Sequence, residues 1–475
     1  MQAFTWRDGH LFADEIPVSR IAAAAGTPTY IYSARAIRAA YGRLATAFAP
    51  LGAHLHYAVK SSPNLHLCRL LRSLGAGMDV VSGGELERAW LSGTPMAEIV
   101  FAGVGKSDAE ILAALDGRFS PLSAADAAKF GLPDPATRGQ VGRFNVESES
   151  ELERIAALAA DLGKRAAFCL RVNPNVDPHT HEYTTTGKKE NKFGIDADRI
   201  VAVVEKYGRL PGLVFDGLHL HIGSPVPQVE PYAEAIAVAF ELIDELGRRG
   251  YPVTTLNLGG GWPVPYTEGA VPPIEDYAAR IVPLLKPRAD AGLKIVLEPG
   301  RSILANSGIL LARVQHVKHG RAKNFVICDA GMHTLLRPAL YRAFHFVWPA
   351  DWRGPAPRFL EDSATDERLD AAGLEICDLV GPICETGDFL ARDRALPPMR
   401  RGDLLAVFSA GAYGMSMTSN YNDHGRPAEV LVDGSHATRI NQRQKLSAIL
   451  ETEAQTADLG VEETMIHNIQ AAAAG

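Results

Sequence analysis

Short apolar runs recur through the first two thirds of the chain, at 55–59, 77–81, 98–102, 142–146, 166–172, 214–222, 254–258 and 293–297, and amphipathic segments separate them. The runs are nearly continuous rather than alternating, as expected of strands buried on both faces. Between them, segments such as 64–75 and 149–163 repeat Leu and Ala at three- and four-residue spacing, the period of a helix with one apolar stripe. Eight strand-then-helix units over roughly 250 residues predict an α/β fold of the (β/α)8 TIM-barrel type. After about 306 the rhythm stops. Strand-like runs at 309–317, 324–328, 374–380, 403–409 and 428–433, bounded by Gly, Pro and Asp, predict a second, mostly β domain of sandwich or Greek-key barrel type. The expected division is a barrel over 29–306 and a β domain over 307–475 that also takes in 1–28, where Asp8-Gly9 marks a turn. Residues 116–141, rich in Pro, Ala and Gly, read as an insertion between the third helix and the fourth strand, on the barrel face opposite the chemistry. Residues 174–194 follow a strand and are expected on the catalytic face, and the alanine-rich end at 471–475 is expected to fray.

Composition narrows the class. With 475 residues and 47% hydrophobic content the chain can bury a large core. Its net charge of -7 and pI near 6.1 provide no general basic field, which argues against nucleic-acid binding. The five cysteines (Cys68, Cys169, Cys328, Cys377, Cys384) are odd in number and scattered, without disulfide-framework or metal-site spacing. The N-terminus lacks a signal-peptide pattern and no apolar run is long enough to span a bilayer, so a soluble cytoplasmic protein is expected.

In a (β/α)8 barrel, chemistry collects at the C-terminal ends of strands. Lys60 ends the first run, Asp79 the second, and Arg171 the fifth; His219 and His221 close the sixth, Gly259-Gly260-Gly261 the seventh, and Glu298-Pro299-Gly300-Arg301 the eighth. A strand-end lysine must be paired, neutralised or used covalently, or else extend its head to water. Consecutive glycines let backbone N–H groups approach a phosphate, although they also make an ordinary flexible turn. No G-x-G-x-x-G or P-loop pattern occurs, which disfavours dinucleotides and nucleoside triphosphates. Glu298 either forms a structural ion pair with Arg301 or holds a heterocyclic nitrogen protonated. His219 and His221, at i and i+2, lack a third ligand in register, so no metal site is expected and a flat imidazole packed on a flat cofactor ring fits better. Cys384, in a loop of Gly, Pro and acidic residues, suits proton transfer better than core packing. A lysine, a phosphate cradle, an acid and a stacking histidine together match the needs of pyridoxal 5'-phosphate.

Ten motifs, in order, carry a resemblance: Y-A-V-K at 57–60, D-V-V-S-G-G-E at 79–85, R-V-N-P at 171–174, N-K-F-G-I at 191–195, H-I-G-S at 221–224, G-G-G at 259–261, E-P-G-R at 298–301, R-P-A-L-Y at 337–341, C-E-T-G-D at 384–388 and A-G-A-Y-G at 410–414. Over nearly its whole length the chain resembles the diaminopimelate decarboxylases, within the alanine-racemase-like (fold type III) pyridoxal-phosphate enzymes. The resemblance implies decarboxylation of meso-diaminopimelate to L-lysine and CO2, as a homodimer with active sites at the subunit interface. Lys60 would bond the cofactor's aldehyde, His221 would stack on its ring, and Glu298 would meet its ring nitrogen. Ser224, Gly260, Gly261 and Tyr413 would bind the phosphate, and Asp79, Arg171, Gly300 and Arg301 would complete the cofactor site. Arg301, Arg337 and Tyr341, with Tyr413, would grip the substrate's distal carboxylate. Cys384 would protonate the carbanion and Glu385 would hold the distal amino group, both reaching into the partner subunit's barrel.

Departures from the family's pattern lie in the long insertion at 116–141, in Ser61-Ser62-Pro63 and Met332-His333-Thr334, and in Thr386 where serine is commoner. They bear on substrate rather than reaction. A related decarboxylase acting on ornithine, lysine or a carrier-bound amino acid is the first alternative, and Arg337 disfavours it. A racemase would place an arginine opposite the ring nitrogen, where this chain has Glu298. A non-catalytic pyridoxal-phosphate-binding relative would be expected to lose Lys60 or the cysteine loop, and this chain has both.

Overall fold

The computed structural model describes residues 3–177, 192–369 and 373–454. The chain starts with an antiparallel hairpin, Phe4–Arg7 against His10–Ala13, turned by Asp8-Gly9, both with positive φ. Such a two-residue turn matches the twist of the flanking strands.

Eight parallel strands then form a closed barrel: β1 (His54–Ala58), β2 (Gly77–Val80), β3 (Ile99–Phe101), β4 (Arg143–Val146), β5 (Ala166–Asn173), β6 (Leu213–Leu220), β7 (Thr255–Asn257) and β8 (Lys294–Leu297). Each pairs with the next, and β8 pairs with β1 to close the ring. All eight lie where the apolar runs predict them. The strand-to-helix turns also follow from sequence. Asn64, Ser82 and Ser148 each accept a backbone N–H at the start of the helices Leu65–Ser73, Gly83–Leu91 and Glu149–Asp161, giving those orphan donors a partner. These caps fix short, rigid turns at the strands' C-terminal ends.

The β domain is a nine-stranded sheet whose main path runs Phe389–Leu396, Glu375–Val380, Asn324–Cys328, Gly308–His319, Thr29–Ser33, Ala428–Asp433, His436–Asn441. Leu404–Val407 pairs with both Gly308–His319 and Val347–Pro349. The strand Thr29–Ser33 lies in this sheet, antiparallel to Gly308–His319 and parallel to Ala428–Asp433, although the sequence division places it with the barrel. It is apolar enough for either role, and its partners, hundreds of residues away, decide. Three strands of the sheet are not legible as apolar runs. Val347–Pro349 is very short, Phe389–Leu396 carries Arg392, Asp393 and Arg394, and His436–Asn441 is largely exposed.

The insertion at 116–141 joins the helix Asp108–Leu115 to β4, as expected of a loop on the face away from the strands' C-terminal ends. It is fastened by Arg138, whose guanidinium donates to both carboxylate oxygens of buried Glu87 at 2.5 and 2.7 Å. Of the segment expected on the catalytic face, 178–191 lies outside the described residues, as does the alanine-rich end.

The two units meet beside Lys60. The Tyr413 N–H donates to the Ser61 carbonyl at 2.8 Å, and buried Glu429 accepts from Asn64 Nδ2 at 2.8 Å and Tyr32 Oη at 2.9 Å. The loop after β1 is thus pinned by the β sheet on one side and the barrel on the other.

Candidate active site

The barrel mouth is built from strand ends. Lys60 lies two residues beyond β1, and its Nζ donates to Asp79 Oδ2 on β2 at 2.6 Å. Burial opposes charge on Lys60, but Asp79 and Glu298 outweigh it and raise its pKa above the ordinary lysine value. The Asp79 carboxyl is pushed up to about 7 by burial and by Glu298, against the pull of Lys60. The Lys60 side chain keeps 30% of its exposure while Asp79 keeps none, so the lysine head faces an opening and the acid lies behind it.

Glu298, one residue past β8, is 2% exposed. Its Oε1 accepts from Asn145 Nδ2 on β4 at 3.0 Å and from Asn257 Nδ2 at the end of β7 at 2.6 Å, and its Oε2 lies 3.2 Å from His219 Nε2 on β6. Burial alone would favour the acid form; His219, by charge and hydrogen bond, and Lys60 reverse that and hold the carboxyl well below the usual range. Arg301 is not its partner. The ion pair that sequence left open is replaced by two amides and an imidazole, so the carboxylate is held charged without a guanidinium.

His221 follows β6. Its Nδ1 accepts from the Gly260 N–H at 3.0 Å, and burial followed by the charges of Arg171 and Lys60 takes its pKa well below the ordinary value, so the ring is neutral. Arg171 donates to Glu147 Oε1 at 2.7 Å and to the His221 carbonyl at 3.2 Å. Gly261 has φ +95°, and a Cβ there would lie 2.4 Å from the Gly223 carbonyl oxygen, so two loops approach as only glycine allows. Ser224 Oγ accepts from Arg301 Nε and Nη2, both at 3.3 Å. Tyr413 has φ +56°, a strained conformation for an aromatic residue, and its ring lies 4.8 Å from the Arg301 guanidinium carbon.

A second cluster lies where the β domain meets the mouth. Arg337 opens the short helix Arg337–Tyr341 and sits 5.5 Å from the Tyr266 ring centroid and 5.8 Å from that of Tyr341. Arg301 Nη1 donates to Tyr266 Oη at 2.9 Å. Burial disfavours the Tyr266 anion, yet Arg337 and Arg301 lower its pKa. Both arginines are at least nine-tenths buried, and neither has a carboxylate partner among the described residues. Two buried guanidinium groups with only neutral acceptors form a receptor for an anion.

Cys384 and Glu385 lie in the β-domain loop after Glu375–Val380, and Cys384 is exposed. Its N–H donates to Asn422 Oδ1 at 3.0 Å, and Tyr421 Oη donates to Glu385 Oε2 at 2.8 Å.

The residues present fit a pyridoxal phosphate. Asp79 Oδ1 is buried without a hydrogen-bond partner, the lysine next to it faces an opening, and the charged Glu298 lies in the same mouth beside glycine and serine loops.

The pyridoxal-binding domain of the pyridoxal-dependent decarboxylases matches residues 34–130 and 133–305. A diaminopimelate decarboxylase of Pseudomonas aeruginosa is 44% identical over 449 residues, 94% of this chain and 98% of that protein. The chain belongs to the diaminopimelate decarboxylase family. Among solved structures, the family's enzyme from M. jannaschii in co-complex with L-lysine superposes with a TM-score of 0.81 at 32% identity, covering 96% of this chain and 98% of that one. A lysine/ornithine decarboxylase from Vibrio vulnificus complexed with cadaverine shares the fold, at a TM-score of 0.68 and 24% identity over 88% of this chain and 98% of that one. Like other diaminopimelate decarboxylase family members, the chain is a pyridoxal-phosphate-dependent carboxy-lyase.

Sequence reasoning missed Asn145, Asn257, Tyr266 and His345. Asn257 alone had a signal, as a polar residue at a strand's C-terminal end just before the glycine run.

Proposed function

We propose that the protein decarboxylates meso-diaminopimelate to L-lysine, acting in the cytoplasm as a homodimer whose active sites combine residues of two subunits. The observation that carries the substrate is the pair Arg301 and Arg337, buried, close to Tyr266 and without acidic partners among the described residues. A substrate with a second carboxylate would offset the cost of two buried charges; ornithine and lysine acting through their α-amino ends have no such group to offer.

The bound cofactor supplies an electron sink for the pair left when CO2 departs. Lys60, whose Nζ donates to Asp79, would be the residue that holds the cofactor's aldehyde end. Asp79 keeps Lys60 oriented from behind. Glu298, kept charged by His219, Asn145 and Asn257, would hold a proton on the ring nitrogen. His221, neutral and fixed through the Gly260 N–H, would pack on the ring. Ser224, Gly260, Gly261 and Tyr413 would bind the phosphate, with Arg171 and Gly300 shaping the surrounding loops. Arg301, Arg337 and Tyr341 orient the distal carboxylate. Cys384 Sγ, brought in by the partner subunit, delivers the proton to the substrate carbon that has lost CO2, and Glu385 holds the distal amino group. The exposure of Cys384 on its own subunit supports that arrangement.

Measuring CO2 release from meso-diaminopimelate, L-lysine and L-ornithine in parallel tests the substrate. Release from the first alone is expected, and release only from lysine or ornithine would reverse the assignment. Mixing Lys60→Ala and Cys384→Ala proteins tests the shared site: activity should reappear in the mixture, and its absence in a mixture shown to exchange subunits would count against it.

A further inference from the structure

Both arginines of the anion receptor are oriented by uncharged groups, and for Arg337 that group is a histidine that sequence reasoning passed over. His345 is fully buried, with 0% exposure. Its Nδ1 lies 2.9 Å from the Phe408 carbonyl oxygen, an acceptor only, so Nδ1 carries the proton and donates. The lone pair of Nε2 is left facing Arg337, whose Nε donates to it at 3.4 Å. Burial, reinforced by the positive charge of Arg337, lowers the imidazole pKa to about 3, so the ring stays neutral throughout the working range. Tyr266 meets the imidazole edge-on, with centroids 5.6 Å apart and planes at 90°, and fixes its plane from the other side.

We propose that His345 is a positioning residue that aims Arg337 through a neutral acceptor and thereby reserves the full guanidinium charge for the substrate's distal carboxylate. This rests on the reading that Arg337 meets that carboxylate. Aspartate or glutamate is the common way to orient a buried arginine, and it would form a stronger hydrogen bond. It would also neutralise the arginine, and the receptor would lose part of its attraction for an anion. A neutral histidine fixes the Nε edge and leaves the Nη atoms, for which no protein acceptor exists among the described residues, directed elsewhere. Arg301 follows the same rule, since its partners Ser224 and Tyr266 are hydroxyl groups. The selectivity device is therefore a pair of cations that meet no acid among the described residues, maintained by a histidine that touches no substrate.

The test uses holoenzyme and two ligands. L-Lysine retains the one carboxylate left after diaminopimelate loses CO2, and cadaverine has none. Calorimetric titration of each is compared among wild type, His345→Glu, His345→Gln and Arg337→Ala, with KM and kcat for meso-diaminopimelate alongside. His345→Glu should weaken L-lysine by about tenfold or more and leave cadaverine unchanged or tighter, with the loss on diaminopimelate appearing in KM more than in kcat. His345→Gln, which keeps a neutral acceptor, should recover most of that loss. Unchanged L-lysine affinity in His345→Glu, with Arg337→Ala weakened, overturns the positioning role alone. Unchanged L-lysine affinity in Arg337→Ala overturns the distal-carboxylate reading beneath it. If His345→Glu fails to fold, judged by melting and cofactor absorbance, His345→Leu replaces it: a lower lysine-to-cadaverine preference in Leu than in Gln supports the role, and equal preferences overturn it.

Discussion

The two ends of the candidate site are built on opposite electrostatic plans. At the barrel end every charge has a protein partner: Lys60 meets Asp79, Arg171 meets Glu147, and Glu298 is gripped by His219, Asn145 and Asn257. At the β-domain end Arg301 and Arg337 are as deeply buried yet, among the described residues, meet only hydroxyl groups and a neutral imidazole. The first plan fixes geometry in advance, as a resident cofactor needs. The second leaves an electrostatic demand unmet until a substrate arrives, so binding energy is concentrated on one chemical feature of the ligand.

Several substitutions would break or sharpen that contrast. The largest effect is expected from Lys60→Ala, which should abolish turnover together with the visible absorption band of the bound cofactor; a band that persists would remove the lysine from its covalent role. Cys384→Ala comes next, with kcat reduced by about 10²- to 10⁴-fold and cofactor affinity near that of wild type. An unchanged rate would take the thiol out of the proton transfer. Arg337→Ala, at the demanding end, should raise KM for meso-diaminopimelate by about 30- to 1,000-fold, equivalent to about 2–4 kcal/mol, and affect kcat less. Asn257→Ala, at the satisfied end, should have the opposite profile, a several-fold lower kcat with KM little changed, because it loosens Glu298 without touching the substrate. If both variants acted on the same parameter, the distinction between the two ends would be lost.

The smallest effect concerns pH and stability. His345 is neutral in the fold down to about pH 3, against an ordinary value of 6.5, so the unfolded chain binds the proton more readily. Its contribution to stability is complete above about 6.5 and is lost as pH falls from there toward 3, by about 1.4 kcal/mol per pH unit. Denaturant midpoints measured between pH 7 and pH 5 should fall accordingly, and His345→Gln should flatten the slope; an unaltered slope would assign acid sensitivity to other groups, of which buried His56, with its pKa near 4, is the first candidate.

Strand-end placement explains why so much of the barrel was legible. A barrel strand is buried on both faces, so its apolar run is continuous, and the polar residue that ends it stands out, as Lys60, Asp79, His221 and Glu298 do. The β domain was harder to read because its outer strands face water on one side or carry charges, and its strand Thr29–Ser33 takes its place only through partners near 310 and 430.

The sequence alone determined the period of the barrel, the strand ends at which chemistry collects, and the motif order that names the family, because these depend on local spacing along the chain. Tertiary structure decided that Glu298 is held by two asparagines and a histidine rather than by Arg301, and that Arg337 leans on His345. Those choices depend on which side chains meet across the barrel and between the two units, and on the energy of burying a charge among them, which no local pattern records.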